Sequence, residues 1–131
     1  MSHGQVVACA VLGREEDVLL IRRTDGVWGL PATPVQPGEW IEDAVRRGMR
    51  GLLDLELRAV SFLCLIEHSD GLYVVFDVIP QVENALLLDH DQPDRKWIGP
   101  DQLATLPLRP AALRTALHNG EPSPWLPHHL T

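Results

Sequence analysis

The chain is short of positive charge. Its 131 residues carry 11 Lys and Arg against 18 Asp and Glu, a net charge of −7, with a pI near 5.2. That balance argues against binding nucleic-acid polymers or an anionic membrane surface, since both need a basic patch. Cysteine is scarce too. Cys9 and Cys64 both lie in apolar, strand-like runs and read as small buried thiols, with no spacing that suits a disulfide framework or a metal pair. No apolar run approaches the roughly 18 residues of a membrane span. The N-terminus lacks the basic region and cleavage site of a secretory signal, so a cytoplasmic location is expected. The six histidines give no metal signature: His128 and His129 are adjacent, and His68 and His90 are isolated. Nucleophile-elbow, P-loop and dinucleotide glycine patterns are all absent.

What is present fits one compact domain spanning 1–131, with an ordinary 45% apolar content and no repeat or linker. Residues 5–12 form a continuous apolar run and predict a strand buried on both faces. Strands are also expected at 18–23, 57–68, 72–79, 85–88 and 96–98. Asp25-Gly26 marks a tight turn, and Ser69-Asp70-Gly71 predicts a hairpin whose Asp-Gly supplies positive φ angles. A helical turn is expected at 100–105, a helix at 110–119, and an irregular, proline-bearing tail from 121. The order of strands, helix, strands, helix predicts an α+β fold with a mixed sheet.

The most informative stretch is 28–55, read as a proline-rich loop leading into a helix. Ile41, Ala44, Val45, Met49 and Leu52 recur as one apolar stripe. Glu39, Glu42 and Asp43 precede Arg46, Arg47 and Arg50, a polarity that suits the helix dipole. Glu42–Arg46 and Asp43–Arg47 are i,i+4 pairs in the favourable orientation. Gly48 and Gly51 each cost a helix interior about 1 kcal/mol relative to alanine. Trp28 and Trp40 read as packing residues rather than stacking platforms.

This loop and helix resemble the Nudix box. In that pattern a glycine is followed after five residues by a glutamate. Seven residues later comes Arg-Glu-apolar-x-Glu-Glu-x-Gly-apolar. Glu39 falls on the first glutamate, Arg47 on the arginine, and Met49 and Leu55 on the apolar positions. Trp28, Leu30, Pro31, Val35, Pro37, Gly38 and Ala44 agree as well. Across 33–55 the match is degenerate. Thr33 stands for the opening glycine, Gly48 for the next glutamate, Gly51 and Leu52 for the glutamate pair, and Asp54 for the late glycine. The resemblance covers about 5–119 and implies a Nudix fold, an α/β/α sandwich with a mixed β-sheet. In the family, the residues at Glu39 and Arg47 brace the loop against the helix, while the later glutamates hold magnesium and activate water.

Three functions are therefore expected in turn. The first is a Nudix-like domain that binds a nucleotide or nucleoside-diphosphate-linked small molecule without efficient hydrolysis, calling for no cofactor. Arg23, Arg46 and Arg50 are its candidate phosphate contacts, with Arg22 beside them. The second is an atypical hydrolase that would use Mg or Mn, with Asp91, Asp94 or Glu67 as its carboxylates or with the metal brought in by the substrate. The third is an interaction or regulatory module, with a homodimer as its candidate assembly.

Overall fold

The computed structural model describes residues 5–69, 71–81, 93–103 and 105–108. A mixed four-stranded sheet forms the centre. It contains β1 (Gln5–Val11), β5 (Ala32–Pro34), β6 (Leu57–His68) and β7 (Gly71–Pro80) in the order β5-β1-β7-β6. β1 and β7 run parallel from Gln5↔Gly71 to Val11↔Asp77, and the other pairings are antiparallel. A second, antiparallel sheet holds β2 (Gly13–Arg14), β3 (Asp17–Arg22) and β4 (Trp28–Gly29), with β8 (Arg95–Ile98) also paired to β3. The helices are α1 (Ile41–Leu53) and a single turn, α2 (Pro100–Leu103). The expected strand 85–88, helix 110–119 and tail from 121 lie outside the described residues.

Side chains alternate across the central sheet because strand residues point to opposite faces. Ala8, Ala10, Val74, Phe76 and Val78 join Ala44, Val45, Met49 and Leu53 of α1 in one core layer. Cys9, Cys64, Tyr73 and Val75 face the other way, with Leu20, Leu30, Leu103 and Leu108. Alanines at β1 leave room for α1 to lie close to the sheet.

Several sequence expectations need correction. The box loop is not wholly irregular, because 28–29 and 32–34 are short strands. β5 sits at the sheet edge, where Pro34 is tolerated. The helix stripe closes on Leu53, 5% exposed, rather than Leu52, which is 40% exposed. Leu53 is four residues after Met49 and so stacks on the same face. Trp40 is not a packing residue: it is 79% exposed. The hairpin forms with His68 paired to Gly71, but positive-φ glycines are found only at Gly26 and Gly38 among the described residues. Gly71 is needed for another reason. A Cβ there would lie 2.5 Å from the Gln5 carbonyl oxygen, where β1 meets β7.

Candidate functional site

The box loop is held by one turn and one ion pair. The Glu39 amide donates to the Gln36 carbonyl at 3.0 Å. Pro37 and Gly38 occupy the centre of this turn, and Gly38 has φ 79°, as a type II turn requires. The carboxylate of Glu39 then does two things. Its Oε1 accepts from the Gln36 amide at 3.0 Å. It also takes both prongs of Arg47, Nε at 2.9 Å and Nη2 at 3.0 Å. Arg47 Nη2 further donates to the Pro34 carbonyl at 2.9 Å. Such a forked pair fixes direction as well as distance. Arg47 holds the Glu39 carboxyl down at about 2, with the Gln36 amide helping. Arg47 thus turns to Glu39, and the i,i+4 pair with Asp43 is not made.

The other two arginines of α1 are also engaged. Arg46 donates to the Leu57 carbonyl at 2.7 Å and lies 3.5 Å from Glu42. Arg50 grips Glu56 at 2.7 and 3.2 Å. Arg22 and Arg23 are exposed at the end of β3, where their amides bond the carbonyls of Asp94 and Val27. Among the candidate acids, Glu67 is exposed on edge strand β6, across from Leu72. Asp94 is exposed and lies 3.6 Å from Arg95 Nε. Asp91 lies outside the described residues.

The helix face at 48, 51 and 52 carries no carboxylate. Gly48 lies under Thr33: a Cβ built on Gly48 would be 2.9 Å from both Cβ and Cγ2 of that threonine. Around them is a small apolar depression, lined by Ala8, Ala10, Pro31, Ala32, Val45, Met49 and Leu52 as well. Beyond it, Arg95 Nη1 reaches the Leu52 carbonyl at 3.3 Å. It neutralises one of the unpaired carbonyls at the helix end. Asp54 closes α1 in the left-handed region at φ 57°, ψ 39°, a conformation that glycine and, less easily, Asp or Asn adopt. Sequence reasoning missed Arg95 and the Thr33–Gly48 contact. The second had a readable signal in the resemblance itself, where threonine falls on the pattern's glycine at 33 and glycine on its glutamate at 48.

The NUDIX domain model matches residues 2–119. The chain belongs to the Nudix family. Among curated proteins it is 26% identical to the nucleoside triphosphatase NudI of Salmonella typhimurium, over 88% of this chain and 96% of that one. Among solved structures it resembles a MutT NUDIX hydrolase from Burkholderia pseudomallei. The TM-score is 0.65 and the identity 28%, with coverage of 92% and 100%. One solved chain, described under MutT from Aliivibrio salmonicida and Vibrio cholerae, shares the fold at TM-score 0.70 with only 12% identity, over 91% of this chain and 100% of that one. The α+β Nudix fold expected from the sequence is therefore the observed one. Among the described residues, no helix is long and apolar enough to cross a membrane.

Proposed function

We propose that this Nudix domain binds a nucleotide or nucleoside-diphosphate-linked small molecule and does not hydrolyse it by the metal route of its relatives. The observation that carries the reading is the face of α1 at Gly48, Gly51 and Leu52. Magnesium takes about six oxygens in near-octahedral order and relies on carboxylates for anchorage. Two glycines and a leucine supply none, and Thr33 covers the first of them. Among the described residues, no cluster of three His, Cys, Asp or Glu could hold a metal. The donor set does not fit the ion. A bound metal contributes several kcal/mol to such a displacement, and losing about 5 kcal/mol slows it by 10³- to 10⁴-fold.

What the chain keeps is the scaffold: the Glu39–Arg47 fork that sets the loop, and a helix seated on the sheet. The cytoplasm is the proposed location, and a small nucleotide derivative the proposed partner. Calorimetry with nucleoside triphosphates, the class named for the NudI relatives, and with ADP-ribose and nucleotide sugars, with and without magnesium, tests the proposal. Binding that needs no metal supports it; magnesium-dependent turnover of any of them rejects it.

One observation favours a second reading, an atypical hydrolase. Asp94 adjoins Arg95, which touches the end of α1, and this links that candidate acid to the helix. Loss of a demonstrated turnover in Asp94→Asn would support that role.

A further inference from the structure

The exchange of residues at 33 and 48 is reciprocal, and the geometry gives a reason. Thr33 lies on β5, paired with Ala8 of β1, so its backbone is pinned and its Cβ cannot turn aside. That Cβ and its Cγ2 each lie 2.9 Å from where a side chain at Gly48 would begin. Carbon atoms do not approach so closely, and β-branched threonine has few rotamers with which to withdraw. Gly51, one turn further along the same helix, has nothing within 4 Å of an added Cβ. The two glycines therefore differ in kind, one enforced by a neighbour and one not.

We propose that Thr33 is a steric gate: it fixes glycine at 48 and so keeps any carboxylate off that part of the helix face. Replacing the three helix positions with glutamates then does not by itself restore a cation site. Opening position 33 is the prerequisite. The statement about cations rests on the functional reading above, whereas the steric coupling stands without it.

Two experiments separate these. In thermal and urea unfolding, Gly48→Ala lowers the stability of the parent. In a Thr33→Gly background the same change raises it, by about five-fold in the folding equilibrium constant, the ordinary advantage of alanine in a helix. If Gly48→Ala does not fold alone, its recovery in the double variant is the same result. A change of equal sign and size in both backgrounds overturns the gate. In the second experiment, manganese binding is followed by calorimetry in Gly48→Glu/Gly51→Glu/Leu52→Glu with and without Thr33→Gly. Binding that appears only with Thr33→Gly supports the gate. Equal binding in both, or in neither, overturns the part concerning cations. Hydrolysis by the parent protein would end the functional reading and leave the steric coupling, read from unfolding alone, untouched.

Discussion

Gly51→Ala should stabilise the protein. The residue lies in the last turn of a 13-residue helix, is exposed, and a Cβ there would meet nothing within 4 Å. No contact is therefore lost or strained, and only the backbone terms change. Glycine in a helix interior is less favourable than alanine by about 0.8–1.0 kcal/mol. Part of that gain comes from the smaller freedom of the unfolded chain. Close to the helix end, a gain of about 0.5–1 kcal/mol is reasonable. For a domain of this size that is a rise of about 2–5 °C in Tm. Differential scanning calorimetry gives the shift, and urea titration should show a higher midpoint at unchanged slope. Nucleotide affinity measured on the same variant tells whether a ligand rests directly on this part of the helix. Loss of stability would refute the reasoning, because it would require a neighbour over residue 51 where the structure leaves open space.

Gly71→Ala should instead cost about 1–3 kcal/mol, the usual range for overpacking, because the added carbon meets the fixed Gln5 backbone at 2.5 Å. Urea unfolding measures it, and a neutral result would refute the close β1–β7 approach. Asp54→Gly should gain up to about 1 kcal/mol by relieving a left-handed aspartate, checked by Tm. Glu39 is depressed to about 2 from an ordinary 4.5. Its stabilising contribution is therefore complete above pH 4.5 and is lost as pH falls through 2; acid titrations of parent and Glu39→Gln should converge in that window. Burial pushes the Cys9 thiol up to about 12 and Cys64 to about 11, so neither should react with a thiol reagent at pH 8 until the protein unfolds.

Local signals carried most of the fold. The apolar runs at 5–12 and 57–68 became β1 and β6 because strand formation there follows directly from composition, and the helix stripe placed Ala44, Val45 and Met49 correctly. The Glu39–Arg47 contact was legible only through the family pattern, since residues eight apart on a loop and a helix have no fixed spatial relation in sequence. Long-range packing was not legible. Nothing local says that Gly71 answers to Gln5, that Trp40 points to solvent, or that Arg95 reaches back 43 residues to Leu52. The 12-residue β6 also hides two register shifts, at Leu57/Ala59 and Phe62/Cys64. The second lets Leu63 and Cys64 share one core layer against the alternation that a regular strand would impose.

The parallel ladder between β1 and β7 sets a timetable for synthesis. Gln5 pairs with Gly71, 66 positions later by subtraction (71 − 5). β1, flanked at first only by β5, therefore cannot find its second neighbour until residues 71–80 have emerged. Closing so long a loop before any contact rewards it is slow. Until then the core layer under the first helix lacks Val74, Phe76 and Val78, which makes the wait for residues 71–80 the nascent chain's most vulnerable interval.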